Sequence, residues 1–429
     1  MTREDHPVPR GLTVLAAIRP GEQRPLRDVL RAIGNDIKGK GVGAEGGRPH
    51  IDFARSRTIH FARLAILRDP QRGPEATRLL FSSNYDGTLE SHLAELIAIT
   101  SDMDAIWGRC EGYQGVTAFP AFIRARAHEA DAFYIAFRNE TVATVRHACA
   151  LRRDVWDRTA ERSSGDTAGA HIAVRLRRAI ERVVRAAPVL ADFVRTVRRH
   201  GFASGVWAPT RIIASLNRYP AFRFANLLTG NRMPPRKSIY SSVVLDNCAP
   251  PQPNVDGDEI PTAFATAPTF REDVIVQNQL TLVTVVDPQH VHRVKAVMAA
   301  IDSYAKRLAP PGSLIGISTI HFVRWLLVDD DRRLVMLSDY DGSWENYIDE
   351  FAEMILSGLD AIWETSFGYP PDGARDLPAF KRFLRSHQVP AEVFFSAYPD
   401  QTVLNVADNL RLARAIDTAS EPLPNLLTL

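Results

Sequence analysis

Two lines of the sequence set a histidine and an arginine inside otherwise apolar, β-rich stretches: RTIHFARLAILRD (Arg57–Asp69) and STIHFVRWLLVDD (Ser318–Asp330). Each is followed by an aspartate in a YDG triplet, Asp86 and Asp341. An imidazole, a guanidinium and a carboxylate on neighbouring strands are the parts of an acid–base site. They are equally the parts of a buried polar network. Strict strand alternation puts Thr319, His321, Val323 and Trp325 on one face, with Ile320, Phe322 and Arg324 on the other. The first line divides likewise, with His60 on the face opposite Phe61 and Arg63. Asp86 and Asp341 then end the neighbouring strand and are placed to pair with Arg63 and Arg324. Because the set occurs twice, a network that fixes strand register is the preferred reading. If the set is catalytic, the copy assigned is His321, Arg324 and Asp341.

A second pair of histidines, His128 and His387, is expected to end helices that begin at Pro120 and Pro378. An imidazole in a last helical turn suits the negative end of the helix dipole, so capping accounts for both. Other chemistry is missing from the sequence: there is no P-loop, no GxGxxG after a strand, no HExxH and no GxSxG.

The elements that must position these residues are written twice. His60 and His321 are 261 positions apart, and NYDG (Asn84–Gly87) and DYDG (Asp339–Gly342) are 255 apart. DAIW recurs at Asp104–Trp107 and Asp360–Trp363, and GY at Gly112–Tyr113 and Gly368–Tyr369. PAF recurs at Pro120–Phe122 and Pro378–Phe380, and TV at Thr141–Val142 and Thr402–Val403. Identities in one order with nearly constant offset mean an internal duplication of about 140 residues. In the first copy LTVLAAI reads as a strand, PLRDVLRAIGNDI as a helix, and the TIHF line and TRLLFSSNYDG as paired strands. TLESHLAELIAI, with Thr88 as N-cap, is a helix, AFYIAF a strand and TVATVRHACALRRDVW a closing helix. The second copy repeats the series. The predicted class is α+β: two ferredoxin-like (βαββαβ) repeats whose sheets pack into an α+β barrel, with a helical insertion between them. The boundaries are 11–157 for the first repeat, 158–274 for the insertion and linker, and 275–417 for the second repeat.

This arrangement resembles the tandem-duplicated members of the dimeric α+β barrel superfamily, which include dye-decolorising peroxidases and chlorite-dismutase relatives. The resemblance is architectural and covers roughly residues 11–155 and 275–417. Of the peroxidase signature GxxDG, the chain carries the YDG fragment. The resemblance implies haem bound in one half. The expected axial ligand, and only metal ligand, is His387, with walls from Phe383, Phe394 and Phe395 and with Arg324, Arg382 or Arg385 facing the propionates. Glu129, beside His128, makes the first half the poorer host. The implied activity is that of a peroxidase-like oxidoreductase acting on a hydrophobic small molecule.

Between the copies, His171–His200 holds eight arginines against Glu181 and Asp192, a formal +6 in a chain whose total is +2. Ile172, Leu176, Ile180, Val183 and Ala187 recur at helical spacing, so the segment is predicted to be a basic amphipathic helix. It suits packing across the barrel, or docking on an anionic membrane surface or acidic partner. No nucleic-acid module accompanies the charge. Cys248–Phe270 is Pro-rich and reads as an extended linker. The cysteines Cys110, Cys149 and Cys248 are far apart and outside any CxxC spacing, which points to a reducing compartment. With no apolar core of a signal peptide near the start and no apolar run of about 18 residues, the expected location is cytoplasmic, with membrane association through the basic segment. The alternative to the enzyme is therefore a peripheral docking protein with the repeats as its scaffold.

Overall fold

The computed structural model describes residues 8–39, 49–69, 72, 73, 75–163 and 276–418. The Arg-rich segment 171–200 and the Pro-rich stretch lie outside the described residues. The first half runs β1 (Arg10–Ala17), α1 (Gln23–Ile37), β2 (Ile59–Arg68), β3 (Thr77–Tyr85), α2 (Leu89–Ile99), α3 (Met103–Trp107), α4 (Phe119–Arg124), β4 (Ala127–His128), β5 (Ala132–Ile135) and α5 (Val142–Ser163). The second runs β6 (Gln277–Val285), α6 (Val291–Arg307), β7 (Ile320–Val328), β8 (Arg333–Asp341), α7 (Trp344–Trp363), α8 (Leu377–His387), β9 (Val393–Ser396) and α9 (Val403–Thr418).

Local chemistry accounts for these elements. β2 and β7 are near-continuous apolar runs, buried at almost every residue, as strands covered on both faces must be. α1 buries Leu26, Leu30 and Ile33, a stripe at helical spacing. α2 starts at Thr88, whose side chain accepts from Ser91 N–H in a capping box. Ser343 caps α7 by accepting from Asn346 N–H. The halves differ here: α2 and α3 are separate, whereas α7 runs on through a non-helical Ile355.

The fold is α+β, with two antiparallel sheets of strand order β4-β1-β3-β2-β9 and β5-β7-β8-β6. Each sheet ends on a strand from the other half. β9 pairs with β2, Arg63 opposite Phe394, and β5 pairs with β7, Arg324 opposite Phe133. The short pair Ala127–His128 meanwhile joins β1, and Gln388 bridges to Leu282 of β6. Segments 127–135 and 388–396 thus each touch both sheets. Leu15, Ala65, Leu67 and Leu80 of one sheet and Val283, Leu326, Val328, Val335 and Leu337 of the other form one buried cluster.

The chain divides into two compact units. One is Met1–Ala143 with Ala225–Val403, which holds both sheets; the other is Thr144–Phe224 with Leu404–Leu429. Within the second, Asn409 Nδ2 donates to Cys149 Sγ at 3.2 Å, joining α9 to α5.

Candidate functional site

The two TIHF lines do not alternate strictly. The β2–β3 register jumps from Ile59↔Tyr85 to Phe61↔Asn84, leaving His60 as an extra residue. The β7–β8 register jumps from Ile320↔Tyr340 to Phe322↔Asp339, leaving His321. Both histidines are therefore the extra residue of a β-bulge, which re-aims a side chain. The rings of His321 and Phe322 lie 5.2 Å and 5.6 Å from the same ring, Phe61. This corrects the expectation that His321 and Phe322 occupy opposite faces.

The partners also differ from those the sequence suggested. Asp86 and Asp341 take the histidines, not the arginines. His60 Nε2 lies 2.9 Å from Asp86 Oδ1, and Asp86 Oδ2 accepts from Val142 N–H at 2.8 Å. In the second half His321 Nε2 is 2.8 Å from Asp341 Oδ1, and Asp341 Oδ2 accepts from Val403 N–H at 2.7 Å. Each aspartate thus holds an imidazole with one oxygen and the positive N-terminal end of a helix, α5 or α9, with the other.

The arginines cross between the halves. Arg63 donates to Leu280 O at 2.9 Å, Ser338 O at 2.8 Å and the carboxylate of Asp339. Arg324 donates to Leu12 O at 3.0 Å, Ser83 O at 2.9 Å and the amide oxygen of Asn84. Asn84 Nδ2 closes the set on Asp339 Oδ2 at 2.8 Å. Both arginines are 2% exposed, and Asp339 is the carboxylate between them. Burial, with repulsion from Arg63, pushes the Arg324 guanidinium down to about 9 against the attraction of Asp339. Two buried cations are held by carbonyl oxygens, the amide oxygens of Asn84 and Gln279, the hydroxyls of Thr13 and Thr281, and one carboxylate. Asn84 and Asp339 gave no signal beyond their places in NYDG and DYDG.

Of the residues expected to hold haem, His387 closes α8, and its Nδ1 donates to Phe383 O one turn earlier at 2.8 Å. That bond leaves Nε2 as the lone-pair nitrogen, which a metal would need. The ring is 95% buried, however, and 4.5 Å from the Phe383 ring, and burial lowers its pKa. Arg385 lies 3.6 Å over the Trp344 ring and bonds Gln388, Arg382 is exposed, and Arg324 is committed to the other half. Phe394 stacks on Phe61 and Phe395 on Phe53. The best-formed cavities of the described residues are apolar gaps of about 10 Å³ between sheet and helices, and neither is lined by His387. A drug-sized or larger ligand needs about 300 Å³ or more. The residues expected to hold a haem do not fit one. His128 is not in a helix but in β4, opposite Thr13, four residues beyond the end of α4.

The recurring DAIW and GY motifs have a use that their spacing did not reveal. Asp360 Oδ1 accepts from Tyr369 O–H at 2.7 Å and from Ala374 N–H at 2.8 Å. In the first half Tyr113 sits against Asp104, and burial together with that carboxylate raises the phenol pKa.

Among the described residues, no group of three or more His, Cys, Asp or Glu side chains is placed to hold a metal ion. No helix among them is long and apolar enough to cross a membrane. Compared with known proteins, the chain matches no family model, no curated protein and no solved structure.

Proposed function

We propose that the two halves are ferredoxin-like repeats closed into one α+β barrel, and that this barrel is the scaffold of a protein that docks on anionic membrane surfaces through its Arg-rich insertion. What supports the scaffold is the reciprocal edge pairing, in which segments 127–135 and 388–396 stitch the two sheets together at both sides. The observation that carries the functional reading is the filled interior. Apolar side chains and the crossed arginines occupy the space between the sheets, and the best-formed cavities among the described residues are too small for a hydrophobic small molecule. The insertion, with +6 over thirty residues and an apolar stripe, has the composition of a segment that lies in a lipid interface.

Co-sedimentation of the full chain with phosphatidylserine-containing vesicles tests this. Binding should fall steeply between about 0.1 M and about 0.5 M salt. Replacing Arg175, Arg178, Arg182 and Arg185 by glutamine should weaken it about 10²-fold or more, at roughly 1 kcal/mol per charge. Equal binding to neutral vesicles, or unchanged binding by the variant, contradicts the reading. A Soret band after mixing with haem would return the cofactor reading to first place.

A further inference from the structure

The two bulge His–Asp pairs differ in their further partners: Gln277 Nε2 lies 3.3 Å from His321 Nε2, and a phenol stands beside His60. His60 Nδ1 is 2.9 Å from the phenol oxygen of Tyr398, which arrives from the second half just beyond β9. The residue in the same place in the first half is Phe137. Ala397 N–H donates to His60 O and Ala136 N–H to His321 O, so Tyr398 and Phe137 each follow the residue paired to a bulge histidine. A phenol, an imidazole and a carboxylate are therefore joined in one relay among the described residues: Tyr398 to His60 to Asp86.

The proton positions follow from the partners. The carboxylate of Asp86 accepts from Val142 N–H and needs a second donor, so His60 carries its proton on Nε2. Nδ1 is then the lone-pair nitrogen and accepts the hydrogen bond of the Tyr398 hydroxyl. The group nearest the phenol proton is a base in the correct tautomer, backed by an anion. Around it lie aromatic rings: Phe61 is 5.5 Å from the Tyr398 ring and Phe322 is 5.4 Å from the His60 ring. Tyr398 is 7% exposed and His60 2%.

This arrangement suits one reaction that needs no cavity. An oxidised phenol is a strong acid, so removing an electron from tyrosine is easy only where a base takes the proton in the same event. Electrons cross a few ångströms of packed protein, whereas substrates do not. We propose that Tyr398 is a redox-active tyrosine, oxidised by an outer-sphere one-electron oxidant. The oxidant takes one electron from the phenol, and the O–H bond breaks. The proton passes to His60 Nδ1, leaving a neutral phenoxyl radical and an imidazolium paired with Asp86. The reverse transfer restores the phenol when a reductant returns the electron. Two other buried tyrosines have different partners. Tyr369 donates to the carboxylate of Asp360 and Tyr347 bonds the Ser338 hydroxyl, both weaker bases than an imidazole.

The test is flash oxidation of the full chain by photogenerated tris(bipyridyl)ruthenium(III), with the phenoxyl radical read by transient absorbance and by electron paramagnetic resonance of frozen samples. The wild type should give one dominant tyrosyl species, lost in Tyr398→Phe. That variant should fold, because phenylalanine already occupies the matching place at Phe137. His60→Gln keeps an acceptor for the phenol and a donor for Asp86 but removes the base, and should slow formation of the radical by about 10²-fold. Phe137→Tyr, which sets a phenol beside His321, should add a second radical. A wild-type radical that survives in Tyr398→Phe overturns the assignment. So does a rate within about twofold of wild type in His60→Gln, because general-base help is worth far more.

Discussion

Where the two halves cross, the first contributes an asparagine and the second an aspartate: Asn84 and Asp339 occupy matching places, each under the arginine of the other half. Their side chains meet at 2.8 Å, Asn84 Nδ2 donating to Asp339 Oδ2. Two ionised aspartates at that distance would repel, and two asparagines would leave a pair of buried guanidinium groups without an anion. A meeting point of two like surfaces therefore favours unlike residues, and a duplicated chain can supply them where two identical chains cannot. The same logic runs through the other differences. Gly11 stands where the second half has Gln279, because Arg324 lies where a side chain would start: a Cβ on Gly11 would fall 2.5 Å from Arg324 Nη1. Gln279 instead accepts from Arg63 Nη1 at 3.3 Å. His92 stands where the second half has Tyr347; each stacks at 3.9 Å on a tyrosine, Tyr85 or Tyr340, and bonds a serine, Ser83 or Ser338.

The largest expected effect comes from removing the shared anion. Asp339→Ala strands two buried guanidinium groups and should cost about 3–5 kcal/mol in urea unfolding. Asn84→Ala removes only a neutral partner and should cost about 1–3 kcal/mol. Equal costs would break the asymmetry between the halves.

Next is the glycine. Gly11→Ala pushes Arg324 off Leu12 O and should destabilise by about 1–3 kcal/mol, while Gln279→Ala gives up one hydrogen bond for about 1 kcal/mol. Both are read from shifts in the urea midpoint.

The His92 and Tyr347 difference should appear as pH dependence. Burial pushes the His92 imidazole down to about 3. Above pH ~6.5 it is neutral in both folded and unfolded chains and has no effect. Below that, the unfolded chain gains a proton that the folded chain refuses, so stability falls as pH drops from ~6.5 toward ~3. At pH 5 the loss should be about 2 kcal/mol. His92→Tyr, which installs the second half's residue, should remove that loss; an unchanged acid limb would show that other groups govern it. The smallest effect is Tyr398→Phe, a lost hydrogen bond to His60 worth about 1 kcal/mol or less in the same unfolding experiment.

These contrasts also mark what sequence alone makes legible. The repeated lines TIHF, YDG, DAIW, GY and PAF are visible because they carry polar contacts or packing that both halves need. Runs of apolar residues locate β2 and β7, and Thr88 locates the start of α2. Strand partners are different, because nothing local in AFYIAF says that it will pair with β7 and not with its own half. The bulge at His60 and His321 is hidden for a similar reason: it depends on register against β3 and β8. Missing it reversed the face given to the histidines, and with it the pairing of Asp86 and Asp341. His387 was legible as a helix end, through its place after Pro378 and a basic turn. Whether a slot opened beside it depended on packing of Phe383 that no spacing encodes.

The interlock of the halves can be tested by cutting the chain between them. A protease site inserted after Tyr240 lets the full, folded protein be cleaved within the segment that joins them, and gel filtration then reports whether the pieces part. Because β5 completes the second half's sheet, β9 completes the first half's, and Arg63 and Arg324 cross between them, the cleaved pieces should elute together at the position of the intact protein. They should separate only in denaturant. Two separately eluting, folded halves without denaturant would contradict the reciprocal core.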